Sequence, residues 1–284
     1  MDLQKVVERR FQDTEQAYSA RDTILYALGV GFGTQPMDRQ HIDYLFEERL
    51  KASPTLANVL GHPGMWARDS EYGIDWKRLL HAEQRLEMHH GLAPEGRIVG
   101  RHFIMGVRDM GERGAMLHQR KHVLNADSGE KIATVTNTLM LRSDGGCGDW
   151  GDVPEELAKL PERAPDSALE VAVPEIQPLI YRLSGDLNPL HIDPDVAKVA
   201  GFPRPILHGL STKGMAGYAL LRQFCDFDPA RLRSMALRFS RPVLPGDLIR
   251  FEFWGSGPGL VRFRALVPNR DDLMVLDRGT AMIG

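Results

Sequence analysis

The chain has 284 residues, enough to bury a large core without a disulfide or metal staple. It is 43% hydrophobic and 26% charged, which excludes a wholly disordered, collagen-like or disulfide-rich protein. A net charge of −3 provides no basic excess for a nucleic-acid partner, and no apolar run approaches the ~20 residues of a membrane span.

The polar start, MDLQKVVERRFQDTEQ, lacks the apolar centre of a signal peptide. The last residues, Ala281 to Gly284, match no sorting or lipidation tail. Both point to a soluble cytoplasmic protein. Cys147 and Cys225 lie far apart and read as free thiols.

Helical periodicity predicts a helix over 38–50, with Ile42, Leu45, Phe46 and Leu50 on one face and Thr34 or Asp38 as its cap. Val99, Phe103, Met105 and Val107 share one parity and predict a half-buried strand. Ala133, Val135, Leu139 and Leu141 predict a second. Between 143 and 172 the pattern breaks into a Gly-, Pro- and acid-rich stretch that reads as a linker or surface excursion. A helix over 210–224 follows, whose Gly214, Ala216, Gly217 and Ala219 predict close packing, for example against a sheet. Val261, Phe263, Ala265 and Val267 predict a late strand.

Two stretches repeat. LYALGVG at 25–31 aligns with IYRLSGD at 180–186, an offset of 155, and Leu92–Gly96 resembles Val243–Asp247. The chain therefore divides into a first repeat over 1–145, a linker over 146–172 and a second repeat over 173–284. Asp186 then faces Gly31 across the copies, and His191 faces Pro36. Only the second copy keeps ionisable groups there. The second repeat would carry chemistry and the first would shape the site.

The densest chemical signal is YRLSGDLNPLHIDP at 181–194. Gly185 and Pro189 make it a turn, so Asp186, Asn188 and His191 can converge. A carboxylate and an imidazole around one water suit general acid–base chemistry. The same residues also suit an Asx turn followed by an exposed histidine. The second signal is Ile206-Leu207-His208-Gly209 at the start of the small-residue helix. A helix start offers free N–H groups to a developing oxyanion, although Gly209 also simply relieves crowding there.

The run SGDLNPLHID followed by ILHG resembles the signature of the MaoC-like dehydratases, and most nearly the (R)-specific 2-enoyl-CoA hydratases called hydratase 2. LYALGVG, HAEQRLEMHHGLAPEGRI and LRFSRPVLPGDLI extend the likeness over most of the chain. The resemblance implies an α+β double hot-dog, two curved antiparallel sheets each wrapped around a central helix. It implies reversible syn hydration of trans-2-enoyl-CoA to (R)-3-hydroxyacyl-CoA. Asp186, His191 and Asn188 fall at the catalytic positions; Gly209, Phe239, His81 and Ala82 fall at substrate-contact positions. No cofactor is implied, because CoA enters with the acyl-CoA substrate, and a homodimer is compatible. Ala82 stands where the family usually has Gly, and Met110 where many members have a CoA-facing Lys, for which Arg108 or Arg113 could substitute.

Other readings are weaker. Gly29, Gly31 and Gly33 do not make G-x-G-x-x-G, and Lys213 breaks a nucleophile elbow around Ser211. His81, His89, His90, His102, His118 and His122 suggest a metal site, but on a strand His118 and His122 lie about 13 Å apart. We therefore expect no metal. A hot-dog thioesterase and a non-catalytic acyl-CoA-binding subunit are the alternatives from other function classes.

Overall fold

A computed structural model describes residues 1–284. In chain order the strands are β1 (Thr14–Tyr18), β2 (Leu79–Met88), β3 (Gly96–Asp109), β4 (Ala115–Asn125), β5 (Lys131–Leu141), β6 (Trp150–Gly151), β7 (Ser167–Ala172), β8 (Leu232–Phe239), β9 (Leu248–Trp254), β10 (Gly259–Val267) and β11 (Leu273–Ile283). The helices are α1 (Leu3–Val7), α2 (Ala20–Leu28), α3 (Arg39–Ile42), α4 (Gln177–Tyr181), α5 (Pro194–Val199) and α6 (Gly209–Phe224). No helix is long and apolar enough to cross a membrane.

All eleven strands join one sheet, ordered β1-β3-β4-β5-β2-β8-β11-β10-β9-β7, with β6 beside β3. Each half reads first, third, fourth, fifth, second, so the order is mirrored about the β2–β8 pair. This is a double hot-dog. The aligned Tyr26 on α2 and Tyr181 on α4 meet where those two helices pack across the halves, ring centres 5.9 Å apart. Glu83 and Arg238 are opposite each other across β2–β8, and Glu83 Oε1 accepts two bonds from that guanidinium, at 3.0 and 2.8 Å. The pair ties the halves together.

The halves differ in what fills them. In the second, α6 is buried from Ser211 to Leu221. Its glycines serve close approach: a Cβ on Gly214 would lie 2.3 Å from Val30 Cγ1, and one on Gly217 2.7 Å from Thr55 Cγ2. The glycine notches thus admit first-half residues, while α6 also packs, as expected, on the sheet at β7, β8 and β11. In the first half the central helix shrinks to a 3₁₀ turn, Pro54–Asn58, packed against β2 and β5. Its terminal carbonyls would be orphaned over the sheet. Lys121 on β4 supplies the donors, Nζ bonding the carbonyls of Ala57 (3.0 Å), Asn58 (2.9 Å) and Leu60. Burial pulls that amine down to about 7.

Three expectations change. The helix over 38–50 stops at Ile42, although Asp38 does cap it by accepting from Gln40 N–H. Its buried face is His41 and Tyr44, not the Ile42 and Leu45 face; His41 is held by Gly33 N–H and the Tyr218 hydroxyl. On β3 the buried parity is Ile98, Gly100, His102 and Ile104, while Val99, Phe103 and Met105 are half-exposed. A register shift between Ile104 and Gly106 then turns Val107 inward. Finally, the 146–172 stretch contains strands: β6 pairs β3, and β7 forms the outer edge of the second half against β9. The strands expected over 133–141 and 260–267 are present; Val261, Phe263, Ala265 and Val267 face inward as expected, whereas on β5 Ala133, Val135 and Leu141 are buried but Leu139 is half-exposed and Thr136 and Thr138 are buried instead.

Candidate active site

α4 runs into a 3₁₀ turn, Arg182–Ser184, which Gly185 ends in the left-handed region at φ 112°. Only glycine takes that conformation freely, and it reverses the chain into Asp186. Asp186 Oδ1 accepts from Asn188 N–H, and Asn188 Oδ1 accepts from Leu190 N–H, capping the turn Pro189–His191. Asp193 then caps α5. Successive short caps fold the segment so that Asp186 stays exposed while His191 is buried.

His191 Nδ1 donates to the Ile206 carbonyl at 2.9 Å, which fixes its proton there and leaves Nε2 as a free base. His208 stacks on it, ring centres 3.7 Å apart and 26° from parallel. His208 Nε2 donates to the Asp186 carbonyl at 3.1 Å, and its Nδ1 has no partner. Burial lowers His191 below the usual imidazole range. Burial, with His191 alongside, pushes His208 down to about 4. Both rings are neutral at neutral pH. Ligand atoms of Asp186, His191 and His208 all lie within 4.8 Å of one another, so the three can surround one water. They are also the side chains able to share a cation.

Asp186, Asn188 and His191 border a cavity of about 670 Å³ that Gly209, Phe239 and His81 also line, with His208 stacked behind His191. His208 precedes α6 without capping it, so the amides at Gly209 keep no side-chain partner. Phe239 lies 3.5 Å from where a Cβ on Gly209 would be, and its ring centre is 4.9 Å from that of His81. Six of the seven expected site residues thus meet at one cavity. Ala82 does not line it. It sits at the register shift between His81 and Glu83, where β2 carries one extra residue. In a regular strand, residues 81 and 84 would face opposite sides. The bulge brings His81 and Gln84 to the same side, and both line the cavity.

Sequence reasoning assigned no role to His208, nor to Asn58, Gln84 and Asn137, which line the first-half arm. Asn137 did carry a signal: it is a polar residue in the apolar parity of its strand. Met110, Arg108 and Arg113 do not line the cavity, and Arg108 pairs with Glu156. The arginines at the cavity are Arg142 and Arg241, both exposed and without a carboxylate partner.

Comparison with known proteins bears on the same residues. A sequence model of the MFE-2 hydratase 2 N-terminal domain matches residues 16–143, and one of the MaoC like domain matches residues 156–271. A probable enoyl-CoA hydratase 2 from Dictyostelium discoideum is 37% identical over 294 aligned residues, spanning 100% of this chain and 97% of that protein. The chain belongs to the MaoC-like dehydratase family. Another member, a peroxisomal enoyl-CoA hydratase 2 from Arabidopsis thaliana, is 31% identical over 89% of this chain and 86% of its own. Among solved structures, a MaoC-like dehydratase from Phytophthora capsici superposes with a TM-score of 0.87 at 31% identity, covering 100% of this chain and 99% of that one.

Proposed function

We propose that this chain adds water reversibly across the double bond of a trans-2-enoyl-CoA, giving the (R)-3-hydroxyacyl-CoA. As a MaoC-like protein related to hydratase 2 enzymes it is a hydro-lyase. The observation that supports the site assignment is the convergence of Asp186, the free Nε2 side of His191 and the start of α6 on one cavity. Thioester conjugation makes C3 electrophilic. A water between Asp186 and His191 loses a proton to the pair as its oxygen attacks C3. Charge moves to the thioester oxygen, which the Gly209 amide stabilises. A proton then returns to C2 from the same face. The two groups share one water and titrate as a pair. Asn188 holds the turn that positions them. The first repeat contributes His81 and shapes the acyl arm. The unpaired Arg142 and Arg241 suit the phosphates of CoA.

Proton transfer and an amide oxyanion contact suffice for this reaction, so we propose that it runs without metal or redox cofactor. A cytoplasmic homodimer belongs to the same proposal. The free Cys147 and Cys225 suit a reducing compartment. Exposed Ile176, Leu179, Leu183, Leu187 and Ile192 suit self-association. Cell fractionation decides between cytoplasm and the peroxisome named for the Arabidopsis relative, and light scattering decides the dimer.

The activity test uses crotonyl-CoA and a longer trans-2-enoyl-CoA, following loss of the conjugated thioester absorbance with Asp186→Ala as control. The product is coupled to an (R)- or an (S)-specific 3-hydroxyacyl-CoA dehydrogenase, and a parallel sample is dialysed against chelator. Turnover feeding only the (R) enzyme, lost in the variant and unchanged by chelation, is expected. Release of free thiol instead would indicate a thioesterase.

A further inference from the structure

Two segments carry the candidate chemistry: the loop that holds Asp186 and His191, and the stretch from Ile206 to His208 that leads into α6. Two hydrogen bonds join them, and the two are reciprocal. His191 of the loop donates through Nδ1 to the Ile206 carbonyl, and His208 of the lead-in donates through Nε2 to the Asp186 carbonyl at 3.1 Å. The rings stack inside this clasp, centres 3.7 Å apart. Tyr181 packs on His208 as well, ring centres 4.9 Å apart, and His208 is only 1% exposed. His208 does not line the cavity, so any part it takes in the reaction runs through its neighbours.

Asp186 needs a hold from outside its own turn. Its carboxylate accepts from Asn188 N–H, which shapes the turn without fixing where the turn lies. His208 directly precedes Gly209, so its bond ties the Asp186 backbone to the residue beside the amide read as the oxyanion donor. Asp186 and that amide act on one substrate, at C3 and at the thioester oxygen. A misplacement of about 1 Å between such groups costs on the order of 10²-fold in rate. Burial keeps His208 neutral, so His191 can take a proton from water without a second cation stacked on it.

We propose that His208 is a positioning residue for the hydration, clasping Asp186 to the start of α6 through its Nε2–H bond. This rests on the hydratase reading of the site. The test measures kcat and KM on crotonyl-CoA for wild type, His208→Phe, His208→Gln, Asp186→Asn and the double variant Asp186→Asn/His208→Phe. Phe fills the slot between Tyr181 and His191 but cannot donate; the Gln amide nitrogen can stand in for Nε2. His208→Phe should lower kcat by about 10–100-fold and leave KM within about threefold, and His208→Gln should recover most of the loss. The double variant should be no slower than Asp186→Asn alone, because residues that act as a unit are not additive, whereas an independent packing defect multiplies. A kcat near wild type in His208→Phe, no recovery in His208→Gln, or losses that multiply in the double variant overturns the proposal while the hydratase reading stands. Where His208→Phe shows no cooperative melt, His208→Asn, too short to reach the Asp186 carbonyl, replaces it; failure of both to fold assigns His208 to the core and overturns the proposal. Absence of turnover by wild type on crotonyl-CoA and on a longer enoyl-CoA overturns the hydratase reading and this proposal together.

Discussion

Asp186 and Asp193 occur seven residues apart in the same loop, each beside a turn, and they do different work. Asp186 is at the cavity; Asp193 accepts from Asp195 and Val196 N–H and caps α5. Asp186→Asn should keep the fold and lower kcat by about 10²–10⁴, the range for a lost acid–base group. Asp193→Asn should cost at most about 1 kcal/mol, since Asn also caps, and leave kcat near wild type. Steady-state kinetics and thermal melts on the two variants separate these roles, and equal loss of activity would sink the assignment. The pH profile gives a second check. Burial lowers His191, so the acid limb of kcat/KM should fall below the 6.5 of a free imidazole, not above it. Asp186, Asn188 and His191 were legible in the sequence because a turn is a local object: six residues carry its whole geometry. His208 is placed by a stack between two loops, and Gln84 is turned to the cavity by a bulge in β2. Nothing near either residue in sequence records those partners.

The elements show where periodicity suffices and where it fails. β10 alternates cleanly because the apolar parity faces the core and the arginines Arg262 and Arg264 face outward. The expected helix over 38–50 fails because its core contact is a buried histidine, which a hydrophobic count scores as polar. β3 misleads for a related reason: its inner face carries Gly100 and His102, and His102 bonds the Gly61 carbonyl of the loop that covers it. α6 was legible in extent and in its packing on a sheet; that Val30 and Thr55 of the first half fill its glycine notches was not. Gly214→Ala tests that contact. The added methyl meets Val30 at a distance real atoms do not reach, so α6 or the Val30 loop must shift. We expect a loss of about 1–3 kcal/mol by denaturant melts, against a gain for Gly→Ala in an open helix.

At the scale of the molecule the duplication was legible from an offset of 155 and is repeated in the strand order. The sequence did not disclose how far the two halves share one interior. The main core cluster runs from Tyr18 to Ile283 and draws on both halves, and the sheet is continuous through β2–β8. The chain should therefore unfold in a single calorimetric transition, and a fragment ending at 145 should not fold alone. Acid should weaken the whole unit. His81, His102, His118 and His208 are each pushed down to about 4 by burial, against 6.5 for the free side chain. Between those values the unfolded chain binds more protons, so stability is complete above about 6.5 and falls as pH drops toward 4. Urea midpoints measured at pH 7 and pH 5 should differ in that direction.

Joining two copies of a fold in one chain also changes how the protein can vary. In a symmetric pair of one-repeat chains, any altered residue is altered twice, once beside the reacting atoms and once at the equivalent position of the other site. Here the two copies mutate independently. The segment that shrank to Pro54–Asn58, and the bulge at Ala82, occur once, in the first half. The sheet opposite keeps α6 intact, and the loop that α6 follows keeps Asp186 and His191. On the proposed assignment, substrate range can drift in the first repeat while the chemistry in the second is inherited unchanged.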